Sequence, residues 1–459
     1  MENYKKSYSD TIKILKNTFD FQGKKYFIET YGCQMNVRDS EIIAGILEEI
    51  GYKPCSDKKD ADIILFNTCC VRDHAEKRLL GNIGALCDLK QIKEDMIIGV
   101  CGCMTQQESV RNRIFSRFPF VDIVIGTKML EYLPEYILNA LNGKRSKKFS
   151  EADKIPYEGL PSVRTGHHST FVNITYGCNN FCTYCIVPYV RGRESSRSYL
   201  DIYEETKHVA EAGYDEVTFL GQNVNSYMDS EHQVNFPKLL HEIHGIEALK
   251  RIRFMTSHPK DLSDELIDAI AELPKCCHHV HLPLQSGSDR ILKLMNRKYD
   301  TVKYLDIVQK LRSRIPDIEF TTDIIVGFPG ETEEDFSDTL SFVKKIGYSS
   351  AFTFKYSPRI GTIAAGMENQ IPESVKKERL FRLNELQNEI TLQNNNKYIG
   401  YCNEVHVEGI EKNGKTVFGK YGNFKMVYFD GDQSDIGKYI TVETDSIEKN
   451  SLRGHRIGL

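Results

Sequence analysis

The chain has 459 residues, too many for one ordinary domain, so two or three are expected. Its formal net charge of −4 excludes a globally basic nucleic-acid binder, so any RNA contact has to come from local patches. Thirteen cysteines behind a polar start, with no apolar leader, argue against a secreted disulfide protein and for a reducing cytoplasm; no apolar run approaches the ~20 residues of a membrane-spanning helix.

Residues 1 to 23 read as a polar, loosely held extension. A strand–helix rhythm then fills residues 24 to 142. Strands are expected at Tyr26–Thr30, Asp62–Phe66, Met96–Val100 and Val121–Ile125, and helical spacing of apolar residues runs from Asp39 to Ile50. Short, almost continuously apolar strands alternating with helices predict an α/β fold with a doubly wound parallel sheet. Ligands of such sheets bind beyond the carboxyl ends of the strands. Cysteines stand there after the first three strands: Cys33, then Cys69 and Cys70, then Cys101 and Cys103. Thiols delivered to one end of a sheet make a metal site plausible, although cysteines are also common in ordinary cores. Cys55 and Cys87 carry no expected role. Residues 143 to 166 break the rhythm with a basic, then polar stretch and read as an interdomain linker.

Residues 167 to 397 form the next expected domain. Its first strand, Phe171–Thr175, leads into a loop with Cys178, Cys182 and Cys185 at C-x3-C-x2-C spacing. Three thiolates on one loop can hold three corners of a cubane iron–sulfur cluster, leaving the fourth iron without a protein ligand; ferredoxins ligate all four. A structural zinc site would want a fourth Cys or His at typical spacing, and His167 and His168 lie on the other side of the strand. Further strands are expected at Glu216–Leu220, Arg251–Met255, His279–Leu282, Phe320–Val326 and Ala351–Tyr356, with amphipathic stretches between them. Six such units predict an incomplete (βα)6 barrel, whose chemistry sits at the carboxyl strand ends. Those ends are rich in Gly and polar residues, as at Gly221–Asn225, Ser257–Pro259, Gln285–Ser288 and Gly327–Gly330. Cys276 and Cys277 fall at the opposite end, and His258, His278, His279 and His281 read as packing or surface residues. A long helix is expected from Pro372 to Lys397, ending in a hinge at Asn394–Asn396. Residues 398 to 459 hold five short strands spaced by Gly and Asn, which predicts a small all-β barrel.

The loop Tyr176-Gly-Cys178-Asn-Asn-Phe-Cys182-Thr-Tyr184-Cys185, continued to Arg191-Gly-Arg193-Glu194, resembles the radical S-adenosylmethionine (SAM) methylthiotransferases. So do Glu29 to Asn36, Asn67-Thr-Cys69 and Gly102-Cys103-Met104 in the first domain. The resemblance implies one [4Fe–4S] cluster on Cys178, Cys182 and Cys185. It implies an auxiliary [4Fe–4S] cluster on Cys33, Cys69 and Cys103, with Cys70 and Cys101 as bystanders. It places SAM near Tyr184, with Gly221-Gln222-Asn223 at its amino group, where many members have Gly-Gly-Glu. Ser257, Gln285 and Asp323 then fall to the remainder of the cofactor. The terminal strands resemble the RNA-binding TRAM domain, with Lys412, Lys415, Lys420, Lys425, Arg453 and Arg456 as its cations. Arg191, Arg193 and Arg197 are candidate phosphate contacts, with ion pairs to Glu194 or other acids an equal alternative.

The implied activity is methylthiolation of C2 of N6-isopentenyladenosine beside a tRNA anticodon, using one SAM as methyl donor and one as radical source. The clusters and SAM carry that chemistry, so no side-chain acid or base is expected. Implied partners are the anticodon stem-loop and an electron donor such as flavodoxin or ferredoxin, for a cytoplasmic monomer. Siblings acting on threonylcarbamoyladenosine or on a ribosomal-protein aspartate are the alternatives within the branch. A non-catalytic RNA-binding iron–sulfur redox sensor is the alternative outside it.

Overall fold

The structure is a computed structural model and describes residues 2–70, 73–148, 159–166 and 168–458. These divide into two compact units. The first takes the residues up to Thr165 together with Tyr176–Asn179 and Ile186–Ser195; the second takes the rest.

The first unit is a six-stranded parallel sheet in the order β2 (Lys53–Pro54), β1 (Lys25–Thr30), β3 (Ile63–Thr68), β4 (Ile97–Gly102), β5 (Ile123–Ile125) and β6 (Ser146–Lys148). Every residue of β3 and β4 is buried, as expected of central parallel strands covered by helices on both faces. The polar-extension reading fails. Residues Glu2–Thr18 form helix α1, which packs on α2 (Gln34–Ile50) and on the helix Leu133–Leu141. The composition of α1 hides this because only a narrow stripe is apolar: Ile12 and Leu15 are buried, and the Tyr8 hydroxyl donates to Glu49 at 2.7 Å.

The linker reading fails at both ends. Ser146–Lys148 extends the sheet as a short, lysine-bearing edge strand parallel to β5, which suits an edge and leaves no apolar signal. Farther on, the Val163 N–H donates to the Glu41 carbonyl at 2.9 Å, and the Thr165 N–H donates to the buried Glu41 carboxylate at 3.0 Å. The part of that reading on residues 149–158 lies outside the described residues.

The second unit contains two three-stranded parallel sheets. One runs Arg251–Phe254, Glu216–Leu220, Ser169–Asn173; the other runs His279–His281, Glu319–Val326, Ser350–Lys355. They are the six strands expected of the partial barrel, and one core of buried aliphatic and aromatic side chains fills the space between strands and helices. The helix Glu373–Asn396 packs along the last strand. Its end is no hinge, because Asn395 is buried, donates to the Asn450 carbonyl at 3.1 Å and accepts from Lys425 at 2.7 Å.

The chain then closes a five-stranded barrel in the order Cys402–Ile410, Thr416–Lys420, Met426–Asp430, Ser451–Arg456, Tyr439–Glu448. This barrel belongs to the same compact unit as the two sheets, although the sequence reading set it apart. Arg251 donates to the Lys420 and Glu404 carbonyls, both at 2.9 Å, and Arg253 to the Tyr421 and Gly422 carbonyls, both at 3.2 Å. Phe424 stacks on His279 with ring centroids 4.4 Å apart.

Candidate functional site

In the first unit the carboxyl ends of β1, β3 and β4 deliver thiols around one side chain, Asn36. The Asn36 Oδ1 lies 3.7 Å from Cys33 Sγ and 3.8 Å from Cys103 Sγ. Its amide donates to the Tyr31 and Thr68 carbonyls, both at 2.9 Å, so the group cannot rotate without losing two buried hydrogen bonds. Cys33 is the N-cap of α2, which explains why a thiol at that strand end is followed at once by helix. Cys69 comes beside Gly32, where a Cβ would sit 2.5 Å from the Cys69 Cβ; the φ of Gly32, +122°, independently requires glycine. Gly102, at φ +100°, is pressed just as closely on the Thr68 backbone, and this turn swings Cys103 out of β4.

The same turn separates the two candidate thiols of β4. Cys101 faces the apolar side of the sheet, against Leu65, Leu130 and Leu133, and burial pushes its thiol up. Cys103 faces Asn36. A hydrogen bond from the Cys70 thiol, with the Arg191 cation in support, holds the Cys103 thiol down at about 6 against the effect of burial. Cys70 is pushed up in return.

Arg191 takes the ion-pair alternative of the sequence reading, and its phosphate alternative is corrected. It is buried, with Nε donating to Cys103 Sγ at 3.1 Å and Nη2 to Asn36 Oδ1 and Asp39 Oδ2, both at 2.9 Å. A side chain so committed has no reach to a nucleic-acid phosphate. Arg197 fails as a phosphate contact for the same reason, being buried with its guanidinium on Glu205 and the Asn173 carbonyl, both at 2.7 Å. Arg193 is exposed.

Within the C-x3-C-x2-C loop, the Cys178 N–H donates to the Gly192 carbonyl at 3.1 Å and the Cys185 N–H to the Cys182 carbonyl at 2.9 Å. Cys182 receives a buried cation that the sequence reading missed. Arg297 Nη1 lies 3.4 Å from its Sγ, while Nε donates to Tyr299 Oη at 2.9 Å and Nη2 to the Pro283 carbonyl at 3.1 Å. Arg297 sits in a turn far along the sequence, and no spacing pattern marks it. Tyr184 packs against an apolar cluster that includes Met295, Phe328 and Tyr356.

The strand ends of the second unit carry polar atoms with nothing to bond. The hydroxyls of Ser257 and Thr175, Asn223 Oδ1 and both amide atoms of Asn225 are buried and lack a partner among the described residues. Such atoms are costly unless a polar ligand satisfies them. Gly221 lies directly over the Thr175 hydroxyl, so a side chain at 221 would fill this space. Asn223 donates to Asp261 at 2.6 Å, Gln285 holds a φ of +69°, and Asp323 lies 3.5 Å from His281 Nε2. Burial first, and Arg297 second, push the His258 imidazole down to about 2, so it is neutral at physiological pH.

Among the described residues no three Cys, His, Asp or Glu side chains come close enough to share a single metal ion. A cubane places its thiolates on separate irons and so farther apart, and the donor sets Cys33/Cys69/Cys103 and Cys178/Cys182/Cys185 suit that chemistry. The unsatisfied hydroxyls and amides beside Gly221 suit a zwitterionic, ribose-bearing cofactor.

In the terminal barrel the expected cations do not form one free basic face. Lys425 is buried, a correction. Lys420 pairs with Glu408 at 3.0 Å, Arg453 with Asp430 at 3.2 Å, and Arg456 with Asp435. Lys412 and Lys415 are exposed.

Residues 172–343 match the Radical SAM superfamily, residues 25–126 the Uncharacterized protein family UPF0004 and residues 396–457 the TRAM domain. The radical SAM methyltransferase TsrM from Kitasatospora setae, solved with cobalamin and a [4Fe–4S] cluster bound, shares the fold with a TM-score of 0.54 at 13% identity, over 74% of this chain and 77% of that one. Fold and site thus define a radical SAM protein. The tRNA-2-methylthio-N(6)-dimethylallyladenosine synthase of Clostridium tetani is 51% identical over 98% of this chain and 99% of its own length. That of Alkaliphilus oremlandii is 51% identical over 98% and 97%. The chain belongs to the tRNA-2-methylthio-N(6)-dimethylallyladenosine synthase family.

Proposed function

We propose that this protein replaces the C2–H of N6-isopentenyl(dimethylallyl)adenosine in tRNA with C2–SCH3. What carries the reading is identity at about half of all positions, over essentially the whole length, to synthases of that name. When bound, SAM and the two clusters supply a 5′-deoxyadenosyl radical and a methylated sulfur.

The chain's own residues hold and shield those groups. Cys178, Cys182 and Cys185 ligate one cluster, and Arg297 sets a buried positive charge against Cys182. Cys33, Cys69 and Cys103 ligate the second. Gly221 leaves room for SAM, and Asn223, Asn225, Ser257 and Thr175 meet its polar groups. Tyr184 and its apolar neighbours exclude water from beside Cys185. No side chain has to move a proton at the substrate carbon, because an aromatic C–H is far too weak an acid for general base catalysis near pH 7. The target base has to be an exposed, unstacked nucleotide, as in an anticodon loop. The exposed Lys412 and Lys415 make backbone contacts, with Arg193 exposed as a further candidate, and a small reducing protein such as flavodoxin or ferredoxin supplies electrons.

Mass spectrometry of tRNA nucleosides from a strain lacking the gene, with and without this chain restored, tests the reading. The 2-methylthio-isopentenyl nucleoside should vanish in the strain and return on complementation. Its persistence without any second methylthiotransferase would refute the substrate.

A further inference from the structure

The Arg191 cluster has more order than packing alone requires. Among the described residues one guanidinium serves Cys103 Sγ at 3.1 Å, Asn36 Oδ1 at 2.9 Å and Asp39 Oδ2 at 2.9 Å. All four side chains are buried. Asn36 Oδ1 also faces the sulfurs of Cys33 and Cys103, at 3.7 Å and 3.8 Å. With both sulfurs as thiolates neither has a proton to share, and an amide oxygen between two anions is repulsive unless a cation holds it. Arg191 is the cation in that position. It stabilises a thiolate directly, fixes the amide beside two thiolates, and is itself oriented by a buried carboxylate.

Resting on the ligand assignment above, we propose that Arg191, aimed by Asp39, is a positioning residue for the auxiliary cluster. It fixes Cys103 and Asn36 and raises the cluster's reduction potential. The physical basis is general: hydrogen bonds to ligating sulfurs and nearby positive charge favour the more negative, reduced state of an iron–sulfur cluster. A planar fork can reach a sulfur, an amide and a carboxylate together, which an ammonium cannot do in the same geometry.

The test uses the full chain with Cys178, Cys182 and Cys185 replaced by alanine, so that only the auxiliary cluster reports. Potentiometric titration followed by electron paramagnetic resonance should show a more negative midpoint in Arg191→Gln, a value between Gln and the parent in Arg191→Lys, and an altered spectrum in Asp39→Asn. If Arg191→Gln fails to load its cluster in this background, the same substitution in the otherwise native chain should lose about four of about eight irons. Arg191→Lys then carries the sign of the shift. Full iron with midpoint and spectrum unchanged in Arg191→Gln overturns the proposal, as does a positive shift in Arg191→Lys; an unchanged spectrum in Asp39→Asn overturns the aiming. Cys103→Ala separates this from the ligand assignment. Iron unchanged at about eight in that variant sinks the assignment itself, whereas a fall to about four with Arg191 silent sinks only the positioning role.

Discussion

Cys178, Cys182 and Cys185 come from one short loop, whereas Cys33, Cys69 and Cys103 come from the ends of three strands. The first set is brought together by chain connectivity, on a loop whose backbone the fold pins at Gly192 and Met295. The second exists only when β1, β3 and β4 are in parallel register, and it depends on Gly32, Asn36 and Gly102 to finish the geometry. Each set has one sulfur that receives a buried arginine, Arg297 on Cys182 and Arg191 on Cys103. A contiguous motif is therefore legible as a string, while an assembled one has to be inferred from where strands end.

The largest effects separate the two sets by chemistry. Cys182→Ala should abolish both 5′-deoxyadenosine and methylthio product. Cys103→Ala should abolish the product while 5′-deoxyadenosine still forms. Anaerobic turnover with dithionite, read by mass spectrometry, checks both, and loss of 5′-deoxyadenosine in Cys103→Ala would break the division of labour.

Backbone strain at Gly102 should hurt the assembled set. Gly102→Val forces a side chain onto the Thr68 backbone at φ +100° and should cost about 2 kcal/mol or more in denaturant unfolding. It should also lose about four irons of about eight, with 5′-deoxyadenosine formation retained. Cys101→Ser sharpens the assignment within that set, since Cys101 faces away from Asn36; its iron content should stay within experimental error of the parent.

A smaller effect belongs to the second unit alone. Burial lowers His258 to about 2 and takes His279 well below its usual 6.5. The folded state therefore binds fewer protons than the unfolded one below pH ~6.5, and stability falls as acid is added. Each histidine should contribute up to roughly 1 kcal/mol per pH unit below that point. Unfolding curves at descending pH should flatten in His258→Gln; an unchanged slope rejects its part. Smallest is the RNA surface. Lys412→Glu with Lys415→Glu should raise the KM for tRNA by roughly tenfold and lessen its salt dependence by about one unit per lysine, without changing SAM cleavage in the absence of RNA.

Much of the architecture was legible because buried parallel strands announce themselves as short apolar runs, as at Ile63–Thr68, and because glycine-spaced short strands imply a small barrel. What was missed has little or no apolar signature. Helix α1 buries a narrow stripe within a polar sequence, and β6 is Ser-Lys-Lys. Asn36 stood inside a quoted motif, yet nothing local distinguished an amide that organises two thiols from a surface one. Arg297 and Asp39 act through contacts distant in sequence, which no spacing rule reaches. Arg191 was noticed with phosphate contact and ion pairing left as equal readings; the ion pair with Asp39 holds, and its contact with a sulfur was not foreseen, since an arginine near a cysteine motif looks the same on paper whether it faces phosphate or sulfur.

The two arginines of the strand Arg251–Phe254 hold the terminal barrel through main-chain carbonyls, those of Glu404, Lys420, Tyr421 and Gly422. A carbonyl is offered by every amino acid, so these four hydrogen bonds ask nothing of the side chains of the residues that carry the carbonyls, and among the contacts described above only the stack of Phe424 on His279 depends on a particular ring. The exposed turn 411–415 takes no part in these bonds and can therefore be redesigned, toward a different RNA, without unfastening the barrel. Evolvability of recognition is built into the way the module is tethered.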